Sequence, residues 1–192
     1  MLYSYRIEQA IRAAALLHRT QVRKGPVPLP YVTHLFAVAF ILSDYTDDED
    51  VIIAGLLHDT LEDTEYSEEE LREDFGRRVF EIVRAVSEQT EGEKGPWKER
   101  KKAYAKQLTE APQEALMVSC ADKIHNMRST IEGYYGNHEG FLRELAKPSV
   151  EDQVWFHQTV SNILNRRLKN DIVHEFNHVF TEYKKFALNE DR

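Results

Sequence analysis

From Ser149 to Arg192 the sequence contains neither glycine nor proline. Such a stretch lacks the punctuation that hairpins and tight turns need, and nothing in it interrupts helical hydrogen bonding. Its apolar residues recur at helical intervals: Val154, Val160, Ile163, Leu164 and Leu168, then Ile172, Phe176 and Val179. Across all 192 residues there are eight glycines and six prolines, and three of the prolines sit together at Pro26, Pro28 and Pro30. A sandwich or barrel needs more turns than these residues supply, so the chain is expected to be all-α.

Periodicity predicts about eight helices. Ile7, Ile11, Ala14, Ala15 and Leu17 mark the first, and the second runs from about Tyr31 through Ile41. A third holds Val51 to Leu61, and Ser67 with Glu70 forms a capping-box pattern that starts another. Gly76 ends that one, and Val79, Ile82, Val83 and Val86 carry the next. Trp97 to Leu108 reads as a basic helix and Ala115 to Met127 as a largely buried one. No repeat or linker-like break divides the chain, which predicts a single domain over residues 1–192.

Charge and cysteine content narrow the function. With 25 basic and 33 acidic residues the net charge is −8, a poor match for nucleic acid or an anionic membrane. An anionic ligand would need a local basic patch or a bound cation. The longest apolar run, Val51 to Leu57, falls well short of the roughly 20 residues of a membrane span. The lone Cys120 excludes an internal disulfide and a multi-cysteine zinc site. No signal-peptide pattern opens the chain, so a cytoplasmic location is expected.

The chemistry concentrates where apolar runs end in ionisable residues. Gly55-Leu56-Leu57 delivers His58 and Asp59, followed by Glu62 and Asp63. Helical spacing would pair His58 with Glu62 and Asp59 with Asp63. Four such groups at the end of a core helix are costly if unpaired, and a divalent cation removes that cost. Taken alone, His58 is equally a hydrogen-bonded core histidine at a solvated helix end. His34 leads a second apolar run, Leu35 to Ala39, and Asp122 closes a third, Leu116 to Ala121, with Asn126 one turn on. Three apolar helices each presenting a metal-type ligand favour a metal centre over three coincidences.

His34, His58-Asp59 and Asp122 resemble the metal-ligand pattern of the HD superfamily of phosphohydrolases. Arg23-Lys24-Gly25, Pro30-Tyr31-x-x-His34, His58-Asp59-x-x-Glu62-Asp63-Thr64, Phe75-Gly76 and Ala121-Asp122-Lys123-x-x-Asn126 further resemble the RelA/SpoT-type hydrolase domain, most closely its stand-alone small form. The motifs span about residues 5–130; the C-terminal helices, 148–188, follow more loosely. The resemblance implies a single HD-domain helical bundle. It also implies that His34, His58, Asp59 and Asp122 bind one divalent metal, usually manganese. Glu62 and Asp63 would position and activate the attacking water. Arg23, Lys24 and Asn126 would contact the nucleotide. The implied activity removes the 3′-pyrophosphate of guanosine 3′,5′-bis(diphosphate), giving GDP or GTP and pyrophosphate.

Two alternatives stay open at this point: an HD phosphohydrolase for another nucleotide or phosphoester, and an inactive binding protein on the same scaffold. Lys98, Arg100, Lys101, Lys102 and Lys106 read as a solvated helix face, with Lys98, Lys102 and Lys106 as the stripe that would meet a polyphosphate. Trp155, Phe156 and Tyr104 read as core or interface aromatics. The C-terminal helices either close the core or offer a homodimer face. His125, His138, His157, His174 and His178 read as packing or surface residues.

Overall fold

The computed structural model describes residues 3–23, 27–88, 95–136 and 148–187. Among these, the regular structure is helical apart from one isolated bridge between Val22 and Pro30. The helices are α1 (Tyr5–Leu17), α2 (Val32–Ser43), α3 (Glu49–Leu57), α4 (Thr60–Asp63), α5 (Glu68–Phe75), α6 (Arg77–Val86), α7 (Trp97–Leu108), α8 (Gln113–Gly136), α9 (Val150–Arg167) and α10 (Ile172–Ala187). The all-α expectation is borne out.

Two helices form the centre. Every residue of α3 from Val51 to Leu57 is buried, as is every residue of α8 from Ala115 to Ile124. A helix that is apolar all round must be enclosed on all sides. Accordingly α8 packs against α2, α3, α6, α9 and α10, and α3 also meets α1, α2 and α6. The peripheral helices carry narrower apolar faces: in α6 only Val79, Phe80, Ile82, Val83 and Val86 are buried.

Local signals in the sequence act as their chemistry requires. Ser67 Oγ accepts from the Glu70 N–H while the Glu70 carboxylate accepts from the Ser67 N–H, which closes the capping box that starts α5. Gly76 has φ 86°, a conformation that disfavours side chains with a Cβ, and it turns α5 directly into α6. The third helix is shorter than its periodicity predicts. It ends at Leu57; His58 and Asp59 form a turn, and Thr60–Asp63 makes a separate single turn. Thr60 Oγ1 donates to the Leu57 carbonyl at 2.6 Å, so a side chain takes an acceptor at the helix end. The expected stacking of His58 over Glu62 along one continuous helix is therefore replaced by a corner.

Gly55 on α3 faces Leu42, Val38 and Ala39 of α2. A Cβ there would lie 2.4 Å from Leu42 Cδ1, and Leu42 is fully buried. No helix among the described residues is long and apolar enough to cross a membrane. Gly55→Ala should force α2 and α3 apart and destabilise the protein by about 1–3 kcal/mol, the range for overpacking. Chemical denaturation measures this; a variant as stable as the parent would mean the α2–α3 contact is loose.

Candidate metal centre and active site

Three core elements deliver the four expected ligands to one place. His34 comes from the first turn of α2, His58 and Asp59 from the corner after α3, and Asp122 from the middle of α8. His34 Nε2 lies 3.2 Å from Asp122 Oδ1 and 3.6 Å from Asp59 Oδ2. His58 Nε2 lies 3.2 Å from Asp59 Oδ2 and 3.7 Å from Asp122 Oδ1. Ligand atoms of His34, His58 and Asp59 all fall within 4.8 Å of one another.

The surroundings set the chemistry of these atoms. His58 Nδ1 donates to the Gly55 carbonyl at 2.8 Å, which leaves Nε2 turned toward the carboxylates. That nitrogen is buried and makes no hydrogen bond. His34 Nδ1 meets His125 Nδ1 at 2.8 Å. For His34 to offer a lone pair through Nε2, its Nδ1 must carry the proton and donate to His125. Burial pushes the His125 pKa down to about 4, so its ring is neutral and able to accept. Tyr31 donates to Asp59 Oδ2 at 2.6 Å, and Asn126 Nδ2 donates to Asp122 Oδ1 at 2.5 Å. Lys123 donates to Asp122 Oδ2.

Burial alone would lower the His58 pKa, but Asp59 and Asp122 outweigh it and push it up to about 9. The same exchange acts in reverse on Asp122. Burial disfavours its charge, yet Lys123, His34 and His58 hold it well below the usual carboxylate range. Two imidazoles and two carboxylates, with His58 Nε2 lacking a hydrogen bond, are a donor set that fits a divalent cation of the N/O-preferring kind.

The site opens into a cavity of about 150 Å³ whose lining includes His34, His58, Asp59, Glu62, Asp122 and Asn126. Glu62 Oε1 accepts from the Glu88 backbone N–H at 2.7 Å, and burial pushes its carboxyl up to about 7. Asp63 is exposed and lies outside the cavity lining; its carbonyl accepts from Gln21 Nε2 at 2.6 Å. Arg23 donates to Asn126 Oδ1 at 3.1 Å and lies over the Tyr31 ring at 5.7 Å, so it joins the edge of this network. The backbone pairing Arg23 N–H to Leu29 carbonyl and Tyr31 N–H to Gln21 carbonyl, at 2.8 and 3.0 Å, holds both residues there. Lys24 lies outside the described residues, as does His138.

Lys98, Lys102 and Lys106 lie on the solvated face that the sequence favoured, and none of them lines the cavity. Lys98 pairs with Asp152 and Lys102 with Glu99, both exposed, and Lys106 is also exposed. The helix is rotated so that its buried face, Tyr104, Ala105 and Leu108, points inward, and this brings Lys101 to the cavity instead. His125 is likewise more than packing. Its position three residues beyond Asp122, one turn further along α8, was the available signal. Tyr31 and Lys123 fell inside the quoted motifs and Lys101 in the basic run without being assigned to the site, and Glu88 carried no signal that would mark it as lining.

Comparison with known proteins matches residues 10–145 to the HD domain. The chain belongs to the HD-domain family. It is 33% identical over 172 residues to a human guanosine-3′,5′-bis(diphosphate) 3′-pyrophosphohydrolase, covering 88% of this chain and 91% of that protein. It is 37% identical over 127 residues to the Drosophila melanogaster protein so named, covering 65% of this chain and 69% of the relative. A Streptomyces coelicolor GTP pyrophosphokinase is 40% identical over 127 residues; these make up 64% of this chain but 14% of that much longer protein. A solved structure of a metazoan SpoT ortholog, described as hydrolysing ppGpp, superposes with a TM-score of 0.78 at 28% identity. It covers 95% of this chain and 97% of the other.

His125→Ala should remove the acceptor that orients His34 and weaken divalent-metal affinity by about 10–100-fold, the usual cost of losing such a support. Metal titration followed by calorimetry measures it, and unchanged affinity would make His125 a bystander. Metal entry must also displace the proton that the carboxylates hold on His58. Affinity should therefore rise with pH toward 9 and fall in acid, with proton release visible as a buffer-dependent heat.

Proposed function

We propose that this HD-family protein is a metal-dependent hydrolase of guanosine 3′,5′-bis(diphosphate), releasing pyrophosphate from the 3′ position. The observation that carries the reading is the convergence of His34, His58, Asp59 and Asp122 beside Glu62 in one cavity, in a chain that aligns over most of its length with pyrophosphohydrolases of this type. The whole chain, 1–192, is taken as one hydrolase domain. The four ligands would hold one divalent ion, manganese being the metal we expect, since the set combines imidazole and carboxylate. When bound, the ion supplies charge neutralisation for the phosphoryl group and lowers the pKa of water.

The residues of the chain do the rest. Glu62 is fixed by the Glu88 N–H through one oxygen, which leaves the other for a water in the cavity. Its raised pKa suits it to take the proton from water as the oxygen attacks the phosphorus that carries the 3′ oxygen. The bond from phosphorus to the 3′ oxygen then breaks, and that oxygen gains a proton to become the 3′ hydroxyl of GDP or GTP. Asp63 is proposed as the partner that positions or relays this proton from the rim. Arg23, Lys24 and Asn126 are proposed to contact the nucleotide. A small anionic substrate suits the cavity, and the location we propose is cytoplasmic.

The test uses purified, manganese-loaded protein with guanosine tetraphosphate and a panel of other nucleotides and phosphoesters. Pyrophosphate and GDP should appear as products, and intact nucleotide would remove the specific claim. Asp59→Ala should lose metal and turnover together. Glu62→Gln should keep its metal while kcat falls by about 100-fold or more, the upper range for a positioned acid–base group. In the parent, kcat should fall as pH drops and Glu62 protonates, with the limb above the ordinary glutamate range. Normal turnover in metal-loaded Glu62→Gln would show that the water is activated elsewhere.

A further inference from the structure

Among the described residues two ammonium groups line the cavity, and they differ in what each one holds. Lys123 is 9% exposed and holds Asp122, whose charge it offsets. Lys101 holds Glu88 Oε1, but Glu88 has a second cation: Arg100 Nη1 donates to Oε2 at 2.8 Å. If Lys101 turns to another anion, Arg100 keeps the Glu88 carboxylate compensated. The Lys101 ammonium also lies over the Phe156 ring at 5.0 Å and near Trp97 and Tyr104, each at 5.9 Å. Lys123 lies over the same Tyr104 and Phe156 rings, at 5.0 and 5.8 Å. Phe156 and Tyr104 are buried, so both cations share an aromatic backing at the edge of the cavity.

We propose that Lys101, seated on the Trp97–Tyr104–Phe156 floor and bound to Glu88 in the free protein, is the anchor for the diphosphate end of the substrate, exchanging Glu88 for phosphate oxygens on binding. Lys123 adds fixed positive charge beside it. Glu88 links this anchor to the water-activating group, because its side chain holds Lys101 while its backbone N–H holds Glu62 Oε1. Seating a diphosphate thus places the scissile phosphate next to Glu62. The subsite rests on the hydrolase reading for the identity of the nucleotide but requires only a diphosphate as ligand.

Inorganic pyrophosphate titrated into the manganese-loaded protein tests the subsite directly. Lys101→Met should weaken pyrophosphate binding by about 10-fold or more, the loss expected for one charge-assisted hydrogen bond. Lys101→Arg should restore most of it. Glu88→Gln frees both cations from their competitor and should tighten binding several-fold, about the size of a modest charge effect. With guanosine tetraphosphate, Lys101→Met should raise KM by about as much as it weakens pyrophosphate, with a smaller change in kcat. Pyrophosphate affinity and KM that match the parent in metal-loaded Lys101→Met, or weaker binding in Glu88→Gln, would overturn the subsite while leaving the hydrolase reading intact. A parent protein that leaves guanosine tetraphosphate uncut, yet binds pyrophosphate in a Lys101-dependent way, would support the subsite and remove the nucleotide assignment.

Discussion

Two imidazoles and two carboxylates meet inside the helical core, and most of the surrounding structure follows from keeping them there. His34, His58 and Asp122 are almost fully buried, where an isolated charge is strongly penalised. Each ligand is accordingly held by a second group: Gly55 and His125 support the imidazoles, while Tyr31, Lys123 and Asn126 support the carboxylates. The cation proposed for this centre would complete the balance of charge. The elements that carry the ligands are deeply buried, α3 from Val51 to Leu57 and α8 from Ala115 to Ile124.

A second set of charges lies beside the four candidate ligands. Glu88 is a nearly buried carboxylate whose ionisation burial opposes, but Lys101 and Arg100 prevail and hold its pKa below the ordinary value. The chain therefore keeps two opposite charges at the cavity wall, ready for exchange with an anion. This resolves the apparent conflict between a net charge of −8 and an anionic substrate. The attraction is local, supplied by Lys101, Lys123 and Arg23 within a protein that is acidic overall, and so it favours a small polyanion over an extended one.

The all-α architecture, the α5 capping box, the turn at Gly76 and the convergence of His34, His58, Asp59 and Asp122 were legible because each leaves a local mark. A Ser-x-x-Glu pattern or an apolar run ending in His-Asp can be read within one or two turns of chain. The break after Leu57 was less visible, since Thr60, which takes the Leu57 carbonyl, is an ordinary helix residue by periodicity. The solvated reading of Lys98, Lys102 and Lys106 holds, but the place of Lys101 was not legible: the charges lie all round α7, so which of them reaches the cavity depended on which face Tyr104, Ala105 and Leu108 bury.

What the sequence determined by itself is the set of helices and the chemical type of the site: helical hydrogen bonding is local, and a histidine or aspartate at the end of an apolar run must be buried with partners. Tertiary structure alone decided who those partners are. Glu88 meets Glu62 across 26 positions of chain, and His125 meets His34 across 91. Such pairings depend on the packing of α2, α3, α6, α7 and α8 against one another, because hydrogen bonds and ion pairs act over a few ångströms of space, whatever the separation along the chain.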